Sequence, residues 1–394
     1  VITPFPSFNA LERIRTELGQ LDAQGLLRSR RLLESAQGAH VRVDGRDVLS
    51  FCSNDYLGLA AHPALIAAAS QAVCDIGVGA GASHLITGHH VVHHRLETRL
   101  AEFIGLPAAL LFSTGYMANI GVVTALVGRE GEIFADRLNH ASLNDAALLS
   151  RAKFTRYPHN DMNTLERELA ASRAVQKLVL VDAVFSMDGD LAPLPALLAL
   201  CERYDAWLLV DDAHGFGVLG EGGRGVLSHF RLASPRIVYM ATLGKAAGVF
   251  GAAVAGENEV IEYLLQKART YIYTTATPPL LSAALLASIE LIEAGDDRRM
   301  HLQNLIQQLR TGLRTPNWKL MDSPTPIQPL LIGSNEAALV ASRRLLECGI
   351  LVPAIRPPTV PANSARLRIS LSAAHTESDV AQLVDALNGI HADG

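Results

Sequence analysis

Lys245 has the most unusual setting of any charged residue in the chain. The run Ile237-Val238-Tyr239-Met240-Ala241 is apolar and β-rich. Thr242, Leu243 and Gly244 then lead to Lys245, and Ala246, Ala247 and Gly248 follow. No carboxylate stands beside it in sequence. Burial among small apolar residues disfavours the ammonium form and lowers the amine's pKa. A neutral amine is the form that attacks a carbonyl to make a Schiff base. The plain alternative is a lysine that reaches from a strand end into water.

Other apolar runs end in residues that could serve such an amine. After Phe112 comes Ser113-Thr114-Gly115-Tyr116-Met117-Ala118-Asn119, a turn opening a helix, whose backbone N–H groups suit a phosphate. After Ala135, Asp136-Arg137-Leu138-Asn139-His140-Ala141-Ser142 brings an imidazole to the same sheet edge. After Val181 comes Phe185-Ser186-Met187-Asp188-Gly189-Asp190, and after Val210 comes Asp211-Asp212-Ala213-His214-Gly215. Asp211 ends an apolar strand and is predicted to be buried, so it needs a cationic or hydrogen-bonding partner. A protonated pyridine nitrogen is such a partner, and His214 could reach a neighbouring ring oxygen. Each part is weak alone. A phosphate cradle, a stacking His, a strand-end Asp, a His three residues on and Thr-x-Gly-Lys, in that order, describe a pyridoxal 5′-phosphate (PLP) site.

The elements that must hold these residues alternate in type. Apolar strands are predicted at 109–112, 132–135, 178–181, 207–210 and 237–241. Helices at 63–73 and 91–104 precede the first of these strands, helices at 141–150 and 194–203 lie between later ones, and the glycine-rich 77–84 is predicted to be irregular. Continuous apolar strands separated by helices imply an α/β fold with a mostly parallel sheet covered on both faces. Ligands of such sheets bind beyond the strands' C-terminal ends. Before this region, residues 4–36 read as a helix and 40–51 as a hairpin turned by Asp44-Gly45. After it, a long helix (280–314), strands at 327–332, 350–355 and 366–371, and helices at 336–347 and 377–389 form an α+β module. The expected division is an N-terminal segment (1–58), a large cofactor domain (59–285) and a small C-terminal domain (286–394).

A hydrophobic share of 49% with 19% charged residues is globular, and a formal charge of −5 argues against nucleic acid as the main partner. Cys52, Cys74, Cys201 and Cys348 are scattered without C-x-x-C spacing, which fits buried free thiols in a reducing compartment. The sequence shows no membrane-length apolar run and no signal-peptide pattern, so a cytoplasmic location is expected.

The chain resembles the α-oxoamine synthase family of fold-type I PLP enzymes from about residue 20 to 390. Besides the PLP motifs, the resemblance rests on Ser53-Asn54-Asp55-Tyr56-Leu57-Gly58, the 136–142 and 185–190 segments, Ala354-Ile355-Arg356-Pro357-Pro358-Thr359-Val360-Pro361 and Arg366-Leu367-Arg368. It implies a mostly parallel, seven-stranded-type sheet in the large domain and a homodimer with sites at the interface. Lys245 would carry PLP and act as base at the amino acid's Cα, and Asp211 would protonate the pyridine. His214 with Ser186 would bind the phenolic oxygen, and His140 would stack on the ring. Gly115, Tyr116 and Thr242 would lie by the phosphate, and Thr275 would come from the second subunit. Arg368 would hold the substrate carboxylate, while Arg30 (or Arg31), Asn54 and Thr359 fall at substrate positions. The 354–361 segment points to a member condensing L-alanine with pimeloyl-CoA or a pimeloyl-acyl carrier protein. A glycine-using sister activity is the nearest competitor, since one methyl group discriminates by only ~1–3 kcal/mol.

Gly88-His89-His90-Val91-Val92-His93-His94 sets two histidine pairs at i, i+4, the spacing of a helical metal pair. Sequence shows no carboxylate or third ligand beside it, so these histidines are expected to be structural or exposed and no metal ligand is assigned. A metal-dependent enzyme and a non-catalytic binding protein are the remaining alternatives; the intact Asp211, His214 and Lys245 speak against the second.

Overall fold

The computed structural model describes residues 10–24, 26–315 and 317–392. Its N-terminal part contains α1 (Ala10–Ala23), the hairpin β1 (His40–Val43) and β2 (Arg46–Ser50), α2 (Pro63–Ile76) and α3 (Val91–Ile104). The central part runs β3 (Ala108–Phe112), α4 (Gly115–Leu126), β4 (Glu132–Asp136), α5 (Ala141–Ser150), β5 (Lys153–Tyr157), α6 (Met162–Ala171), β6 (Lys177–Asp182), α7 (Leu194–Arg203) and β7 (Trp207–Asp211). It continues with α8 (Val226–Phe230), β8 (Ile237–Thr242), β9 (Ala252–Gly256), α9 (Asn258–Lys267) and α10 (Arg269–Ile272). Then come α11 (Pro279–Glu293), α12 (Asp296–Gly312), β10 (Lys319–Leu320), β11 (Ile327–Gly333), α13 (Asn335–Glu347), β12 (Ile350–Leu351), β13 (Ala354–Ile355), β14 (Ala365–Ser370) and α14 (Glu377–Ala392).

The seven-stranded sheet has the order β3-β9-β8-β7-β6-β4-β5, and β9 alone among these strands runs against its neighbours. Successive side chains leave opposite faces of a strand. Val179, Val181, Leu208 and Val210 accordingly enter one core, and Leu178, Leu180, Leu209 and Met240 the other. Both faces are covered, which is why the strands read as unbroken apolar runs. Register sets Asp182 opposite Asp211, and Asp211 opposite Met240, so three strand ends line up.

Several sequence expectations change. The first helix ends at Ala23, where Leu26 N–H bonds Leu21 O at 2.8 Å; residues 32–34 instead run beside β1, bridged at Leu33 and Val43. Gly25, a poor helix former, follows that end. The part of the expected helix at 4–9 lies outside the described residues. The long helix at 280–314 is two helices. Gly295 intervenes, its N–H and Arg299 both donate to the Ile292 carbonyl (3.1 and 2.6 Å), and Asp296 and Asp297 suit the new N-terminus. The strand at 350–355 splits because Val352-Pro353 separates its halves and Pro353 has no N–H to donate. One half pairs with β2 and the other with β14. The elements β5, α6, α8, β9, α9, α10 and β10 were not anticipated. The four cysteines are free, but only Cys201 is buried; Cys74 and Cys348 are exposed. Among the described residues no helix is long and apolar enough to cross a membrane.

Candidate active site

The aligned strand ends open into a cavity of about 180 Å³ lined by Gly115, His140, Asp182, Asp211, His214 and Lys245, with Tyr116, Ser142, Ser186, Met240 and Thr242 around them. Lys245 follows β8 by three residues, in the turn closed by Gly248 N–H to Lys245 O at 2.8 Å. Burial pulls its amine down to about 8; the charges of Asp211 and Asp182 work the other way, and Arg368 adds to the lowering. Its Nζ lies 2.8 Å from His214 Nε2.

His214 is buried, and burial together with the nearby Lys245 and Arg368 holds it well below its ordinary value, so the ring is neutral. Its Nδ1 meets the Tyr56 hydroxyl at 2.6 Å, and that hydroxyl donates to Asn54 Oδ1 at 3.1 Å. These bonds assign the proton to Nδ1 and leave Nε2 to accept from Lys245. Arg368 Nη1 also donates to Asn54 Oδ1 at 3.2 Å, so a continuous chain runs from Lys245 to Arg368.

Asp211 is fixed by Asn119 Nδ2 at 2.8 Å and by the Ala213 N–H at 3.1 Å. Asp182 beside it accepts from His140 N–H, while its Oδ1 is buried with no hydrogen-bond partner among the described residues. Burial and the Asp211 charge raise its carboxyl well above the usual range. His140 caps α5, its Nδ1 accepting from Ser142 N–H.

The Phe185–Asp190 loop is held from two sides. His159 lies between Asp136 (3.1 Å) and Asp190 (2.9 Å). Burial opposes its charge, but the hydrogen bonds and charges of both carboxylates outweigh it and push the ring up to about 10. From β14, Arg368 Nε donates to Ser186 O at 2.6 Å and Arg366 pairs with Asp188. Gly189 has φ +75°, and a Cβ there would stand 2.4 Å from Ser323 Oγ.

The family model for class I and II aminotransferases matches residues 46–387. The chain belongs to this family. Among curated members, the 8-amino-7-oxononanoate synthase of Methylobacillus flagellatus is 62% identical over 378 residues, covering 96% of each chain. Among solved structures, a serine palmitoyltransferase from S. paucimobilis with a bound PLP–myriocin aldimine superposes with TM-score 0.91 at 28% identity, covering 98% of both chains. The 8-amino-7-oxononanoate synthase of Francisella tularensis gives TM-score 0.76 at 31% identity, covering 87% of this chain and 97% of its own.

Within this family member, Lys245, Asp211, His214, His140, Ser186, Gly115, Tyr116 and Thr242 share one cavity, and Asn54 and Arg368 join it through hydrogen bonds. Thr359 lies at a separate cavity of about 590 Å³, lined by Leu18, Leu21, Arg28, Ile355, Arg356 and Pro358 among others. Arg30 is exposed and lines neither; Arg31 pairs with Asp44. Thr275 is exposed and lines neither. Tyr56, Asn119 and Asp182 had not been singled out. Asp182 ends an apolar strand just as Asp211 does, a signal open to sequence reading. Asn119 stands in an otherwise apolar helix face, where a polar amide needs a buried partner.

Proposed function

We propose that this chain is a PLP-dependent acyltransferase of biotin biosynthesis. It condenses L-alanine with a pimeloyl thioester to give 8-amino-7-oxononanoate, carbon dioxide and free thiol. The observation that carries the reading is Lys245, an amine of lowered pKa, opening into the same cavity as the fixed carboxylate of Asp211. The 62% identity to a curated synthase of that name supports the choice of substrates.

The residues fit PLP. The cavity has the N-terminus of the 12-residue α4 on its wall together with the strand-end carboxylate Asp211. A Cβ on Gly115 would stand 3.4 Å from Met240 Cε and 3.8 Å from Thr242 Cβ, both in the cavity wall, so glycine keeps that corner open. Gly115, Tyr116 and Thr242 would hold the phosphate, and Asp211 a proton on the pyridine nitrogen. His140 would lie on the ring face, and His214 with Ser186 would meet the phenolic oxygen. PLP bound there supplies an electron sink for the carbanion at the amino acid's Cα.

Lys245 would hold the cofactor covalently before substrate binds and, once freed by the incoming amino acid, would take the Cα proton as a neutral amine. Arg368, oriented by Asn54 and Ser186, binds the alanine carboxylate as a fork. The acyl chain and its carrier lie toward the Thr359 cavity, which Arg28 also lines. The working unit is a homodimer in which Thr275 completes the site of the other copy. Ile14, Leu18 and Leu21, exposed on α1, supply an apolar stripe for such a partner.

The test is thiol release from pimeloyl-CoA and from pimeloyl-acyl carrier protein with L-alanine, glycine or L-serine. Release with alanine in clear preference supports the reading. A preference for glycine or serine moves the chain to a sister activity.

A further inference from the structure

Three side chains remote in role from the Lys245 cavity converge at the start of α3. His89 stands in the turn before the helix; His94 and Glu97 are three residues apart on its face. Their ligand atoms all lie within 4.8 Å of one another, with His89 Nε2 3.8 Å from Glu97 Oε2. The histidine run, which shows no third ligand in sequence, therefore acquires one through helical spacing.

A second group, His84, His89 and His93, also converges, and hydrogen bonds decide between the two. His93 is already engaged at both nitrogens: Nδ1 accepts from His90 N–H at 2.9 Å and Nε2 donates to Thr277 O at 2.9 Å. It caps the helix and ties it to the 277 segment. His84 Nδ1 lies 2.9 Å from His89 Nδ1, so one of the two carries the proton. With the proton on His89, its Nε2 presents a lone pair on the Glu97 side and His84 becomes the acceptor behind it. Metal-bound imidazoles are held in this way, the far N–H given to an outer acceptor.

Glu97 adds the charge. Its side chain is 12% exposed, and His89 is its one ion-pair neighbour among the described residues. Glu97 Oε1 accepts from Leu111 N–H at 3.0 Å, which fixes the carboxylate. A buried carboxylate lacking a cation is costly, and a carboxylate with two imidazoles beside it forms a set that suits zinc.

We propose that His89, His94 and Glu97 bind a divalent transition-metal ion of the zinc class. His94 and Glu97 both line a groove with Thr98 and Glu102, from which further ligands could reach the ion. The ion would clamp the turn before α3 onto the helix. That turn continues into the segment whose Ala82 carbonyl accepts from Ala276 N–H at 3.0 Å, beside Thr275.

The test is Co²⁺ titration of the PLP-loaded enzyme after chelator treatment, followed by its ligand-field band, with Zn²⁺ competition. One ion per chain is expected. Glu97→Gln, which preserves the bond from Leu111, and His94→Ala should each weaken binding at least tenfold. His84→Phe should weaken it roughly tenfold by removing the outer acceptor, and His229→Asn should leave it unchanged. Absence of a saturable ion, or equal affinity in Glu97→Gln, overturns the proposal. X-ray absorption of the wild-type Zn²⁺ complex, independent of any variant's folding, should count two imidazoles per ion; fewer than two also overturns it.

Discussion

The hydroxyl of Tyr56 and Nδ1 of His214 stand 2.6 Å apart across 158 residues of sequence. This contact sets the tautomer of His214 and hence what Nε2 can do for Lys245. Tyr56→Phe removes the acceptor and leaves a buried N–H unpaired, a cost of about 1–3 kcal/mol. The expected outcome is a kcat roughly tenfold to a hundredfold lower with L-alanine, together with a shifted cofactor absorption band. An unchanged spectrum would show that His214 keeps its orientation without Tyr56.

Lys245 should bind its cofactor faster as pH rises. The attacking species is the neutral amine, and with the amine at about 8 its fraction grows up to and beyond that pH. Stopped-flow mixing of cofactor-free protein with PLP should show a rate that climbs between pH 6 and pH 8 and levels off above about 9. Lys245→Ala should abolish covalent capture at every pH.

Asp211→Asn should leave the cavity shape intact and remove the charge that, on the proposed role, would hold a pyridine proton. Turnover is expected to fall at least a hundredfold, about 3 kcal/mol, the scale of losing a placed electrostatic group. Asn119→Ala, which frees Asp211 Oδ2 from its 2.8 Å bond, should give a smaller loss in kcat with little change in KM.

His159→Gln should destabilise the fold by roughly 3 kcal/mol, because the buried carboxylate of Asp136 and the half-buried one of Asp190 lose their shared cation. The sign with pH follows from the raised ring. The folded value is about 10 against an ordinary 6.5, so the contribution is complete below about 6.5 and is lost as pH rises through 10. Denaturant unfolding of both proteins across that window should show the gap between them closing toward alkaline pH.

The strand-end residues were legible because the inner parallel strands β4, β6, β7 and β8 are buried on both faces, so the polar residues that follow each apolar run mark the sheet edge. Asp211 is itself such a strand-end residue, His140 and Lys245 lie in the turns just beyond Asp136 and Thr242, and the helices at 91–104 and 194–203 showed in their apolar spacing. Tyr56 was not, since its role is created by tertiary contact with a strand far away. The strand Ala252–Gly256 escaped because small residues give no β signal; its place between β3 and β8 comes from pairing on both sides. The third metal-ligand position escaped for a related reason, as Glu97 lies beyond the histidine run and only the helix brings it back.

Arg366 and Arg368 share one strand of the small sheet, and both grip the Phe185–Asp190 loop, which carries Ser186 into the cavity. The small sheet is thus a lever on the cavity wall. Amino-acid preference in this scaffold can be retuned by substitutions behind β14, shifting the pivot while every residue that lines the cavity stays the same.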